Sequence, residues 1–417
     1  MSFSTHFTWV IYAIVFIASY YIAKSVWLFW RQEGFKNRMD WVLLEIRVPR
    51  EMTRGPKAME QFFASIYNLR NYAIGPKEIY LDGEITRWFS LEIVGTNRVT
   101  RLYLRILRPL MHPMVSALYA QYPEVEVVEA ERDYIYDYPD SYQALLARNY
   151  EIYGLEVTQK RNPAFKLRTY KDFETLVGSE KGRITDPMAA VIEIIGRLKA
   201  EETVWIQFLC QPDTNHIRSD HWAVGAKKEI EKFKSATQKS EGKHGDEPSI
   251  RFRFRTQHEE NTLKGLEEKI AQAVYVTTFR TIYLAPRAIY NRDLANRGIF
   301  GFLAQMNNDD QRMTKINKVR SKVDWDAFPI IFPKRRLFWK NVAIYDEYRR
   351  RFIPEETIAG KIYNSYPLRW CFWHKPMILC AEELATFFHI PTNVVLTQVT
   401  MDRIESKHLA PPGNLPS

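Results

Sequence analysis

Asp213, His216, Asp220 and His221 bring two carboxylates and two imidazoles into one short stretch. These are donors that a divalent transition metal takes. Their spacing matches no ligand motif, and the competing reading is a polar loop between a strand and a helix. Cys371 and His374 are spaced Cys-x-x-His, with Cys380 and His389 further on. Cys380 sits in apolar text and His389 at a helix end, so a core role competes with a zinc site there. The expectation is no metal and no cofactor. Arg251, Arg253 and Arg255 share one face of a period-two strand, with Phe252 and Phe254 on the other. Guanidiniums about 7 Å apart would track a phosphate backbone, whereas a charged edge strand would only face water. Arg349, Arg350 and Arg351 follow Asp346 and Glu347 and read as a solvated helix end.

The phosphate-loop pattern Gly-x-x-x-x-Gly-Lys-Ser/Thr is absent from the chain: Gly182 precedes Arg183, and Gly242-Lys243 precedes His244. Neither G-x-G-x-x-G, G-x-S-x-G nor H-E-x-x-H occurs. The expectation is therefore that the chain is not an enzyme. The 3 cysteines form no Cys-x-x-Cys pair, which argues against a disulfide scaffold and for a reducing compartment. With 46% hydrophobic and 26% charged residues in 417, the chain is not disordered as a whole. Its net charge of +10 favours an acidic neighbour such as nucleic acid or anionic lipid, but the excess is spread over a long chain.

Residues 7–30, FTWVIYAIVFIASYYIAKSVWLFW, carry one charge, Lys24. A helix of that length is roughly 36 Å long, enough to cross a hydrocarbon core of about 30 Å. Trp27, Phe29 and Trp30 extend its end into an aromatic belt. A cleaved leader should begin with a positive region and end in small residues, and this segment does neither. Arg31, Lys36 and Arg38 follow the span and no Lys or Arg precedes it. The positive-inside bias then predicts a single-pass anchor in the cell membrane, N-terminus outside and body cytoplasmic.

The body reads as α+β. Strands are expected at 41–49, 87–94, 99–107 and 124–131, with helices at 56–69 and 113–122. That order, β-α-β-β-α-β, is the ferredoxin-like split unit. A second, elaborated module is expected from strands 152–159, 203–210 and 274–285. Its helices are expected at 187–201 (capped by Asp186), 221–238, 262–272 and 290–306, with a polar linker at 239–248. A short helix over 379–390 and an extended Pro-rich tail, 410–417, close the chain. The expected division is an anchor, 1–35; a ferredoxin-like domain, 36–145; a second α+β domain, 146–335; and a C-terminal helical segment with its tail, 336–417.

Three stretches carry a resemblance: LEIRVPRE with PKAMEQFFASIYNL (44–69), KIAQAVYVTTFRTIYLA (269–285), and LCAEELATFFHIP (379–391) with the closing APPGNLP (410–416). Together they resemble the N-terminal, non-catalytic region of bacterial conjugation and type IV secretion ATPases. In fused relatives a Pro-Pro-x-Asn-Leu-Pro-like segment comes just before the ATP-binding domain. The resemblance covers most of 40–416 but includes no catalytic motif. It implies a membrane-anchored component of a secretion or DNA-transfer machine that docks a separate ATPase, in an oligomeric assembly. The docking residues it points to are Pro411, Pro412, Asn414, Leu415 and Pro416, with Glu382, Glu383 and His389 nearby. The alternative is a membrane-tethered protein that binds single-stranded DNA through Arg251, Arg253 and Arg255.

Overall fold

The computed structural model describes residues 3–49, 52, 54–71, 75–176, 186–214, 222–235, 256–317, 319–323, 332–364, 374–392 and 403–404. Its first element is the helix α1, Phe3–Lys36. The stretch Trp9–Lys36 contains an 18-residue window of mean hydropathy 1.6, none of which is buried in the protein. It is long and apolar enough to span a membrane.

The body is mixed α+β around one large sheet. Its first strands are β1 (Trp41–Pro49), β2 (Phe89–Thr96), β3 (Val99–Leu107) and β4 (Glu126–Glu129), with helices α2 (Pro56–Ile66) and α3 (Met111–Gln121) between them. β1 pairs antiparallel with β3 and with β4, and β3 pairs antiparallel with β2. The spatial order is β4-β1-β3-β2. Helix α4 (Tyr142–Ala147) leads to β5 (Tyr150–Gln159). Helices α5 (Tyr170–Leu176) and α6 (Ala189–Gly196) precede β6 (Thr203–Pro212). Helices α7 (Trp222–Ser235) and α8 (Gln257–Ala271) lie between β6 and β7 (Val274–Pro286), and α9 (Phe300–Ala304) precedes β8 (Met313–Lys315). These strands run β6-β7-β5-β8, all neighbours antiparallel. In both halves the fourth strand therefore lies beside the first, and the third separates the first from the second. β2 and β6 pair antiparallel from Phe89↔Cys210 to Thr96↔Thr203, so the two halves share one sheet.

The C-terminal part closes over this sheet. It comprises α10 (Pro333–Arg349), α11 (Ile358–Tyr363), β9 (Met377–Cys380), α12 (Ala381–Phe387) and β10 (Arg403–Ile404). β9 extends the sheet along β7, and β10 pairs parallel with β1. On one face Met59, Phe62 and Phe63 of α2, Leu118 of α3, Ile192 and Ile195 of α6 and Leu384 and Phe387 of α12 form the larger core. On the other, Leu145 of α4 and Ile344, Tyr345 and Tyr348 of α10 pack on Tyr103, Trp205 and Ile282. Burial of each such side chain is worth about 1.5–3 kcal/mol. Because both faces are covered, β2 and β6 are buried almost throughout rather than alternating. Gly154 of β5 allows a close approach of α10: a Cβ there would lie 2.7 Å from Ile344 Cδ1.

Most expected elements fall within a few residues of those observed, and the differences have causes. The helix expected over 379–390 is a strand followed by a helix, because 377–380 pairs with β7. The expected helix 187–201 ends at Gly196, before Leu198, whose N–H bonds Ile195 O. The boundary expected at 335/336 falls inside α10. The linker 239–248 and the Arg251–Arg255 stretch lie outside the described residues. The three arginines expected at a solvated helix end divide: Arg350 is half exposed, whereas the Arg349 side chain is 9% exposed and that of Arg351 3%.

Candidate functional site

The body grips α1 at the end of its apolar stretch. Trp27 Nε1 donates to Tyr80 O at 2.7 Å, and Lys24 Nζ lies 5.1 Å from the Tyr80 ring centroid. Tyr80 belongs to a wide helical turn, Glu78–Asp82, closed by Gly83 at φ 67. A Cβ at Gly83 would collide with the Arg31 backbone, so glycine meets both the backbone angle and the close approach. From α11, the Ala359 N–H donates to Ser25 Oγ at 2.9 Å, and the Tyr363 ring lies 5.3 Å from that of Phe29. Lys36 Nζ bonds Glu355 at 2.7 Å and Glu33 at 2.8 Å, with the Glu355 side chain 3% exposed. Chain segments about 50 and 320 residues away in sequence thus meet on one stretch of α1.

Three of the expected docking residues lie in or just after α12, and all three are buried. Glu383 caps its helix by accepting from Cys380 N–H at 2.9 Å. It also accepts from Leu167 N–H at 2.7 Å and pairs with Lys269 at 2.9 Å, both side chains fully buried. Glu382 accepts from Thr169 Oγ1 at 2.6 Å and bonds Lys166 at 2.9 Å and Lys171 at 2.8 Å. Burial raises its carboxyl, but bonds from Lys171 and Thr169 and the Lys166 charge outweigh that and hold it at about 2. His389 Nε2 lies 2.8 Å from Asp186 Oδ1, and its Nδ1 lies 2.9 Å from Ala385 O. Their side chains join segments of the fold and present no outward surface. Pro411, Pro412, Asn414, Leu415 and Pro416 lie outside the described residues.

Of the residues weighed for metal binding, Asp213, His374, Cys380 and His389 are among those described. Asp213 accepts from Trp222 Nε1 at 2.7 Å, whereas His216, Asp220 and His221 lie outside the described residues. His374 Nδ1 lies 2.6 Å from Glu156, beside Arg280 and Glu347, and Cys371 is outside the described residues. Burial pushes the Cys380 thiol up, which suits a core residue more than a ligand. Among the described residues no group of three or more His, Cys, Asp or Glu side chains is arranged to hold a metal ion.

Two features escaped the sequence reading. One is the buried network around Arg351, which contacts Glu92 and Asp133. The other is a cavity of about 300 Å³ beside it, between the β2–β6 seam, the turn at 134–139 and α4. Tyr103, Tyr134, Tyr138 and Trp205 supply its aromatic lining, and Arg101 and Arg148 add charge. Burial pushes the Tyr103 hydroxyl up to about 12, so it stays a neutral donor. Arg132 adds a third guanidinium to the lining and Asp137 an opposing carboxylate, so the cavity carries charge of both signs. The alternation of Arg101, Tyr103 and Arg105 marked one polar face of β3, but not the elements facing it.

No family model matches the chain, and no curated protein matches it.

Proposed function

We propose that this is a membrane-anchored scaffold whose body faces the cytoplasm and docks a separate ATPase in a conjugation or type IV secretion-like machine. The observation that carries this reading is the joint between α1 and the body. A tethered enzyme needs only a flexible leash, but α1 is one unbroken helix, Phe3–Lys36. It is held by the 78–83 turn, by Glu355 and by α11. A body held at a set angle to a bilayer suits a part of a larger assembly. The three stretches that resemble the non-catalytic region of secretion ATPases, together with the missing phosphate loop, make the motor the natural partner. In the same reading, each four-stranded run is a ferredoxin-like unit. The spatial order fourth-first-third-second in both halves supports that, with the second unit elaborated by α7 and α8.

Purification of the full chain from membranes in mild detergent should recover an ATPase encoded on another polypeptide. Removing residues 410–417 should weaken that recovery without loss of the folded body. Capture of no ATPase from the native host would overturn the reading. Steeply salt-dependent binding of single-stranded DNA in its place would favour the DNA-binding alternative.

A further inference from the structure

We infer that α11 and the 78–83 turn form a second membrane contact, a patch that lies in the headgroup layer on either side of the anchor. The inference rests on α1 spanning the bilayer, and it adds a lipid-binding surface that belongs to the body.

Position along α1 comes first. Trp9 and Trp27 are separated by about 27 Å of helix, close to the thickness of a hydrocarbon core. Tryptophan favours the two interfaces, which places Trp27 and Trp30 at the boundary on the body side. The body touches α1 at this level and slightly beyond it. Tyr80 meets Lys24 and Trp27, Gly83 meets Arg31, and Gly360 approaches Phe29. Ala359 bonds Ser25, which lies about 3 Å deeper along the helix than Trp27. The first residues of α11 are therefore level with the outer ends of the acyl chains.

Surface chemistry comes second. Leu81 is 53% exposed, Ile358 63%, Ile362 57% and Tyr363 77%. Ile358 and Ile362 are one helical turn apart and share a face of α11. Tyr363 touches Phe29 of the anchor and leaves most of its ring open. Among the described residues outside α1, half of the large exposed apolar side chains sit on these two short elements. Lys77, just before the turn, is exposed, and Lys24 and Arg31 of α1 lie below and above Trp27, about 10 Å apart along the helix axis. Asp82 and Glu356 are also exposed at the edge of the patch, and apolar side chains with charges of both signs around them suit the headgroup boundary of a bilayer. A protein partner would have to reach this patch through the headgroup layer, so we commit to lipid as the occupant.

The test uses the full chain, with Cys371→Ser, in vesicles of phosphatidylcholine and phosphatidylglycerol. An environment-sensitive fluorophore is attached in turn at Leu81→Cys, Ile362→Cys, Phe16→Cys and Arg197→Cys. Quenchers are aqueous iodide and spin-labelled lipids with the label near the headgroup or deep in the chain. Probes at 81 and 362 should lose iodide quenching and gain quenching from the shallow lipid label. The probe at 197 should respond to iodide alone and that at 16 to the deep label. Iodide quenching at 362 equal to that at 197, with 16 still reached by the deep label, would overturn this inference and leave the anchor intact. Protection of 362 from both quenchers would also overturn it, since protein would then cover the patch. Iodide reaching 16 would remove the anchor reading and this inference with it.

Discussion

Arg351 donates to both carboxylate oxygens of Glu92, at 2.7 and 2.9 Å, across 259 residues of chain. The same guanidinium binds Asp133 at 2.7 Å, so one cation ties the end of α10 to β2 and to the turn before α4. Arg351 adopts φ 51, just past the helix end. The left-handed region costs a non-glycine residue about 1–2 kcal/mol, which the bidentate pair offsets.

This pair sets an acid limb for stability. Burial raises the Glu92 carboxyl, but Arg351, Ser90 and Tyr134 outweigh it and hold it at about 2. That is below the unfolded value of about 4.3. The stabilisation is therefore complete above that pH and is lost as pH falls towards 2. At about 1.4 kcal/mol per pH unit, the loss over this window is roughly 3 kcal/mol. Urea unfolding of the detergent-solubilised protein from neutral pH downwards should show the decline. Glu92→Gln should lower stability at neutral pH and flatten the acid limb; an unchanged limb would assign the slope to other carboxylates.

The fully buried Lys269–Glu383 pair makes a different prediction. Lys269→Met leaves an unpaired carboxylate in the core and should cost about 3–5 kcal/mol. Adding Glu383→Leu should recover part of that, since the N–H groups of Leu167 and Cys380 still lose their acceptor. If Glu383→Gln kept full stability but lost capture of the proposed ATPase partner, the residue would return to a docking role.

The close approach of Gly154 to Ile344 predicts overpacking. Gly154→Ala should destabilise by about 1–3 kcal/mol. Combined with Ile344→Ala, the loss should be smaller than the sum of the two single changes, because the added methyl occupies the emptied space. Denaturation midpoints of the four proteins measure it, and additive losses would mean that the helix simply shifts away.

The joint between α1 and the body is open to a double-mutant cycle. Lys36→Met and Glu355→Gln should show a coupling of about 1–2 kcal/mol, as expected for a half-buried ion pair with hydrogen bonds. Spin labels on α1 and at Arg197 should give a narrow distance distribution in the native chain and a broader one in the Lys36→Met variant. A distribution equally broad in both would mean that the joint is already loose.

Cys210 and Cys380 are both buried, and burial pushes both thiols up. Neither should react with a maleimide at neutral pH while the chain is folded, and both should label after unfolding in denaturant. Mass spectrometry of the labelled peptides tests this, and rapid native labelling of Cys380 would reopen a chemical role for it.

Element order was legible because it depends on local pattern. The apolar run from Phe7 to Trp30, the alternation of Arg101 to Ile106, and Pro56 ahead of Met59, Phe62 and Phe63 each state a conformation within a few residues. The turn signal Gly95-Thr96-Asn97 likewise placed the β2–β3 hairpin. Only the tertiary structure decided which charges were internal. Arg351 lies in a basic run and reads as solvated, and Glu382 and Glu383 open a helix and read as surface acids. Their partners are Glu92, Lys166 and Lys269, more than 100 residues away. Burial of an ion depends on whether distant segments bring an opposite charge to the same point, and neither residue type nor spacing carries that information. The same limit hid the patch beside α1: the pattern shows an apolar helix, but only folding places Leu81 and Ile362 at its side.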